Sequence, residues 1–254
     1  MPDPVDYDGY QSSVYAEGRA LGPEVVADWM SAFARRAAPE RPLSVLDLGS
    51  GTGRFTPALA KTFGGPVYGV EPSSAVRSVA REQSAHPAVR YLAGSANAIP
   101  LPDASVELVL LFLVWHHVPD QAAAAAEIGR VLRPGGRVLI RSTFGDRPPE
   151  SCWRDHFPRA AEVAAAIFPD STRVEREFAQ AGLRCVGLDV VRVRSAESAA
   201  AYAKRLHMRA SSIFEHLTEQ EIEEGFARLD AAVAAGEPAF RPTEDGDLLV
   251  LEAA

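Results

Sequence analysis

Cysteine is scarce in this 254-residue chain: Cys152 and Cys185 are the two present, and no metal-ligand spacing joins them. They fit reduced thiols, and the plainer account makes both of them small buried hydrophobes. Six histidines are scattered without a recognisable ligand set, so no metal site is expected. Long apolar runs are lacking too. Val106 to Val114 suffices only for a buried strand, so no membrane span is expected. The start, Met1-Pro2-Asp3-Pro4, has no apolar signal segment, which suggests a cytoplasmic protein. Basic residues are outnumbered, with 26 Lys and Arg against 34 Asp and Glu and a net charge of −8. That balance argues against a nucleic-acid partner, because phosphate binding needs a basic footprint. Repeats are lacking as well, since the alanine runs at 122–126, 160–166 and 199–203 simply favour helix.

What is present is ordinary globular material, 47% hydrophobic and 24% charged, long enough for one α/β domain with a full core. Its most informative stretch is Val45-Leu46-Asp47-Leu48-Gly49-Ser50-Gly51-Thr52-Gly53-Arg54-Phe55. It reads as a buried strand ending in an acid, a turn with glycine at alternate positions, and the start of a helix. Glycine lets the backbone approach a ligand that any Cβ would push away, and the amides at a helix start favour a negative group. A second strand, Pro66 to Val70, ends in Glu71. A tight strand–helix turn with no ligand is the competing account of the glycines.

Dinucleotide-binding turns read G-x-G-x-x-G/A. Here Arg54 takes the place of the third glycine, which makes a nicotinamide dehydrogenase a poor fit. The spacing of Asp47, Gly49, Gly51 and Gly53 resembles motif I of class I S-adenosylmethionine-dependent methyltransferases. Further segments extend the likeness: Gly94-Ser95-Ala96-Asn97-Ala98-Ile99-Pro100, the strand Ser105 to Phe112, His116-His117-Val118, and Leu132-Arg133-Pro134-Gly135-Gly136 before another strand. This order resembles the ubiquinone/menaquinone-biosynthesis-like small-molecule branch and spans about Leu43 to Thr143.

The resemblance implies S-adenosyl-L-methionine as cofactor, held by Asp47, Gly49, Ser50, Gly51, Gly53, Glu71, Pro72, Ser95, Ala96, Asn97 and Phe112. Glu71 is the acid expected to accept both ribose hydroxyls, a task suited to two carboxylate oxygens. Ser95 stands where the family often has an acid near the adenine amino group, so adenine recognition leans on the backbone around Ala96 and on Asn97. Arg19, following Tyr10 and Tyr15, matches family segments that close over the cofactor, with the arginine near its methionine carboxylate. A surface arginine on an arm is the alternative.

Alternation along the chain predicts strands at 43–48, 66–70, 89–93, 106–112 and 137–143 with helices at 54–63, 73–84 and 120–132. This is the pattern of a Rossmann-like doubly wound sheet with helices on both faces. Helices at 151–168 and 172–181, a strand at 184–193, mostly helical chain to 235 and a strand at 247–252 follow. The resemblance makes this a seven-stranded sheet with the last strand antiparallel. One domain is expected over 1–254: a helical arm at 1–38, a cofactor-binding core at 43–193 plus 246–254, and a helical cap insert at 195–240.

The resemblance implies methyl transfer to O, C or N of a small molecule, plausible in secondary metabolism. His117 is the candidate base or hydroxyl orienter, with His116 beside it, because imidazole titrates near neutrality. Packing or capping of the next helix is the competing role. Trp153, His156, Phe157, Tyr202, His207, Met208 and Phe214 could line an acceptor pocket or form the core of the cap. A cyclisation on the same cofactor, or a non-catalytic nucleoside sensor, remains open, as do the acceptor and the oligomeric state.

Overall fold

The computed structural model describes residues 22–38, 40–147, 153–194, 196–236 and 243–254. Tyr10, Tyr15 and Arg19 on the expected arm, and Cys152, lie outside the described residues. A helix α1 (Pro23–Arg36) precedes alternating strands and helices. These are β1 (Leu43–Leu48), α2 (Thr56–Phe63), β2 (Gly64–Glu71), α3 (Ser74–Gln83), β3 (Val89–Ala93) and β4 (Val106–Phe112). Next come α4 (Gln121–Val131), β5 (Leu132–Ser142), α5 (Ala160–Ile167), α6 (Ser171–Gln180) and β6 (Leu183–Arg194). The described chain closes with α7 (Ala199–Leu206), α8 (Glu219–Ala235) and β7 (Thr243–Ala253).

All seven strands join one sheet in the order β3-β2-β1-β4-β5-β7-β6. β1 to β5 are parallel, and β7 lies antiparallel between β5 and β6. The order reverses between β1 and β4, so the crevice beyond their carboxyl ends is where such a sheet receives a ligand. One face packs Leu46, Val109, Ile140 and Leu249 against α4 and α6 residues such as Ile128 and Phe178. The other packs Val45, Leu110 and Leu139 against Trp29 and Phe33 of α1 and Leu59 and Phe63 of α2. Each such side chain contributes about 1.5–3 kcal/mol on burial, which anchors the strand ends in register.

Several boundaries differ from the sequence expectation. α2 starts at Thr56, not Arg54, because Arg54 and Phe55 complete the turn and Pro57 takes an early helical position where its missing N–H costs nothing. Ser73 and Asp120 prove to be N-caps, accepting the amides of Val76 and Ala123. β5 begins at Leu132, and the Arg133–Gly136 stretch is a bulge within it: pairing with β4 jumps from Val106↔Leu132 to Leu108↔Arg137. The expected helix at 151–168 is broken into a 3-10 turn at Arg154–His156 and α5. Pro158 accounts for the break, since a residue before proline is driven out of helical space and Phe157 is found at φ −122°, ψ 86°. β7 starts at Thr243, four residues earlier than its apolar pattern suggests.

The segments beyond β5 build a third core. Trp153, Phe157, Tyr202, Phe214, Phe226 and Leu229 pack together, with Phe157 edge-on to Phe226 at 5.2 Å between ring centres. A Cβ on Gly225 would lie 2.2 Å from the Phe157 ring, so the glycine lets this ring lie against α8. Thr218 and Glu221 cap α8 reciprocally, which fixes where that helix begins.

Candidate active site

The turn after β1 is held by its own backbone. The amides of Gly49 and Ser50 both donate to the Val70 carbonyl, at 2.8 and 3.1 Å, tying the turn to the end of β2. Gly49, Gly51 and Gly53 have φ of +70°, +55° and +79°, a region that L-residues enter at a cost. A Cβ on Gly53 would sit 2.2 Å from the Tyr91 hydroxyl. At Gly51 nothing lies within 4 Å, so this glycine faces open space.

Glu71 closes one side of that space. Its Oε2 accepts the Gly51 amide at 3.1 Å and its Oε1 accepts the Ser73 amide at 3.0 Å. Arg77 donates to the Glu71 carbonyl at 2.7 Å, which steadies the strand end beneath the carboxylate. The carboxylate therefore serves the start of α3 and reaches the glycine turn at the same time. Pro72 beside it is exposed.

Asp47 points elsewhere. It is 3% exposed and accepts the Thr56 hydroxyl at 2.6 Å, joining the end of β1 to the first turn of α2. Burial pushes its carboxyl up to about 6, against the opposing influence of the Thr56 hydrogen bond and the Arg54 charge. Tyr91 lies nearby, donating to the Ser84 carbonyl at 2.9 Å, and burial also raises its phenol. Thr56 and Tyr91 are supports that the motif reading does not single out. The signal available for Thr56 is a hydroxyl at a helix start, directly before Pro57. The Ser50 hydroxyl is buried and lies toward β2, 3.0 Å from where a Gly69 Cβ would be.

At the end of β3, Ser95 and Ala98 exchange backbone hydrogen bonds, and Ala96 is buried within that tight turn. Asn97 donates its amide to the Asp120 carbonyl at 2.6 Å, so in this structure the side chain braces the N-terminus of α4. Phe112, at the end of β4, packs on Phe55 at 4.3 Å and on the edge of Trp29 at 5.2 Å. Arg54 and Arg141 both lie over the Phe112 ring at 5.4 Å, a convergence that no motif announces.

Beyond Leu113 and Val114, a 3-10 turn carries Trp115, His116 and His117. Trp115 is fully buried against Phe178, with ring centres 4.8 Å apart, which is a packing role. The two imidazoles lie 3.9 Å apart and are half-buried, and His116 also meets the edge of Phe168 at 4.6 Å. Both follow the carboxyl end of β4. Trp153, Phe157, Tyr202 and Phe214 are buried in the third core, and His207 stacks on Phe226 and reaches Asp230 at 3.0 Å. Among the described residues no group of three or more His, Cys, Asp or Glu could hold a metal ion.

The methyltransferase domain model matches residues 46–140, from within β1 to within β5. An uncharacterized methyltransferase of Mycobacterium bovis is 40% identical over 140 residues, covering 55% of this chain and 53% of that protein. The chain thus spans about half the length of the first curated relatives it matches. Demethylmenaquinone methyltransferase of Lactococcus lactis is 29% identical over 182 residues, covering 62% of this chain and 72% of that one. Among solved structures, a candidate methyltransferase from an antibiotic biosynthesis pathway of Anabaena variabilis shares the fold with a TM-score of 0.73 and 22% identity. That match covers 93% of this chain and 99% of the other.

Proposed function

We propose that this chain, which belongs to the class I S-adenosylmethionine-dependent methyltransferases, transfers a methyl group to O, C or N of a small molecule. The observation that carries the reading is Glu71, whose carboxylate meets the open Gly51 position across the crevice mouth. Two oxygens already placed at hydrogen-bond range of backbone amides suit a pair of vicinal hydroxyls. An unobstructed glycine suits close approach of a ligand backbone. The residues therefore fit an adenosyl ligand whose sugar lies at β2 and whose base lies toward Ser95, Ala96 and Asn97 at β3. Asp47 supports this seat from beneath, by fixing Thr56 and with it the start of α2.

S-adenosyl-L-methionine, when bound, supplies a methyl group already activated on a cationic sulfur. The chain's share of the work is positioning, which contributes on the order of 7–11 kcal/mol when an acceptor is held in line. His117, past the end of β4, accepts the proton of a neutral hydroxyl acceptor or orients that hydroxyl, with His116 packed against it. Arg19 of the N-terminal arm is assigned to the methionine carboxylate. The helical layer built from 153–168 and 196–233 excludes water as a cap.

The acceptor is a small molecule, since the net charge of −8 opposes nucleic acid. A cytoplasmic setting is part of the proposal, and no helix among the described residues is long and apolar enough to cross a membrane. Incubation with methyl-labelled S-adenosylmethionine and an acceptor extract tests the activity. Label in an extracted small molecule is expected; cofactor binding with no label in any acceptor favours the sensor or cyclase reading.

A further inference from the structure

A strained residue stands directly past the end of β4. Leu113 has φ +59°, a left-handed conformation that glycine takes freely and a large L-residue takes at a cost. The other described non-glycine residues with positive φ, Ala104 and Arg209, are exposed, whereas Leu113 is half-buried. The strain breaks the alternation of the strand. Leu110 and Phe112 pack into the core on the α1 and α2 side, and Leu111 into the core on the α4 and α6 side. Regular alternation gives Leu113 the face of Leu111. Val114 takes that face instead, so close to the glycine turn that a Cβ on Gly49 would lie 2.6 Å from its Cγ2. Leu113 thus packs against none of the three cores formed by the described residues. Its amide donates to the Arg141 carbonyl of β5 at 2.8 Å, which ties its backbone to β5 while Val114 is held at the turn after β1.

Strain of this kind persists where the surroundings over-determine it, and it gathers at ligand-binding positions. We propose that Leu113 is a specificity-determining residue, its side chain held over the crevice as an apolar contact for the methyl acceptor. The acceptor class then carries an uncharged hydrocarbon body beside the reacting atom. This rests on the methyl-transfer reading. The place in the sheet favours the acceptor over the cofactor. The strand order reverses between β1 and β4, and with the cofactor's sugar at β2 the end of β4 lies across β1 from it. Leucine carries no side-chain donor or acceptor. A charged group pressed on it loses water without return, and a hydrocarbon gains by the same contact. Glycine at this position relieves the backbone and forfeits the contact, so one substitution separates binding from packing.

The test titrates phenol and 4-butylphenol, both uncharged hydroxyl probes, into the full chain saturated with S-adenosylhomocysteine. The butyl probe should bind about tenfold or more tighter. Leu113→Gly should shrink that gap to about threefold or less, with the melting temperature kept or raised and S-adenosylhomocysteine affinity within about threefold. Leu113→Met, of similar volume, should keep most of the gap. In the leucine methyl spectrum of the wild type, the signals that Leu113→Gly removes should shift when 4-butylphenol joins the S-adenosylhomocysteine complex. Failure of S-adenosylhomocysteine to bind the wild-type chain brings down the methyltransferase reading itself. Binding of S-adenosylhomocysteine with no preference for the butyl probe, an unchanged gap in Leu113→Gly, or unmoved Leu113 methyl signals overturns this inference alone. A loss of about tenfold or more in S-adenosylhomocysteine affinity in Leu113→Gly assigns the side chain to the cofactor and likewise overturns it.

Discussion

Glu71 Oε2 accepts the backbone amide of Gly51 at 3.1 Å, so the carboxyl end of β2 is latched to the middle of the glycine turn. The same carboxylate accepts the Ser73 amide at 3.0 Å. A residue that bridges two elements in this way has both a structural and a binding consequence, and substitution separates them. Glu71→Gln keeps one acceptor oxygen and removes the charge. S-adenosylhomocysteine affinity should fall about tenfold or more, and the melting temperature should fall modestly, because the amide nitrogen then faces one of the two backbone N–H groups. Calorimetric titration beside thermal unfolding checks both, and an unchanged dissociation constant removes Glu71 from the ribose role.

The glycines of the turn should respond in opposite ways. At Gly51 a side chain meets no protein atom within 4 Å, so Gly51→Val costs chiefly the left-handed strain, about 1–2 kcal/mol. Cofactor binding should be abolished in that variant, because the added methyls occupy the open space.

At Gly53 a Cβ would lie 2.2 Å from the Tyr91 hydroxyl, so Gly53→Ala should also break the bond from Tyr91 to the Ser84 carbonyl. A loss of about 2–4 kcal/mol is expected by denaturant unfolding. Adding Tyr91→Phe should recover part of it, since the clashing oxygen is then gone. Lack of any recovery places the strain elsewhere.

Asp47 makes stability depend on pH in an unusual direction for a carboxylate. Its folded-state value is pushed up to about 6, above that of the unfolded chain. The folded protein therefore binds the proton more tightly, and stability falls as pH rises between about 4 and 6 and is flat beyond. The burial cost of the charged form is on the order of 2–3 kcal/mol at neutral pH. Asp47→Asn keeps an oxygen for the Thr56 hydroxyl and cannot ionise. Subtracting its stability profile from that of the wild type should isolate a slope in that window; a flat difference contradicts the raised value.

His117→Ala should lower turnover about 10²–10⁴-fold with a hydroxyl acceptor while leaving S-adenosylhomocysteine affinity alone. Label transfer and titration on the same preparation check this. Full activity returns His117 to packing against His116 in the 3-10 turn.

The centre of the sheet is legible in the sequence because β1 and β4 are buried on both faces. β4 coincides with its apolar run, β3 keeps its expected bounds although only Tyr91 of its five residues is buried, and the strand–turn–helix of Asp47 to Phe63 stands out through its glycines. β7 is less legible, since its first residues are Thr243-Glu244-Asp245-Gly246-Asp247. Their pairing depends on partners remote in sequence: Asp245 meets Arg192 at 2.7 Å, and Asp247 meets Arg147 at 3.3 Å. The direction of a side chain is harder still to read. Asp47 belongs to the motif, yet its carboxylate is aimed beneath the turn at Thr56, and Asn97 is spent on the Asp120 carbonyl. The meeting of Arg54 and Arg141 over Phe112 joins three distant segments, and neither spacing nor periodicity encodes such a contact.

The central claim is that the crevice between the Gly51 turn and Glu71 holds an adenosyl sulfonium cofactor. Parallel calorimetric titrations of S-adenosylmethionine, S-adenosylhomocysteine and NAD into the full chain test it most directly. Saturable one-to-one binding of the two adenosyl sulfur compounds is expected, lost in Gly51→Val, with NAD giving no heat. Tighter binding of NAD, or equal binding of S-adenosylhomocysteine by wild type and Gly51→Val, would contradict it.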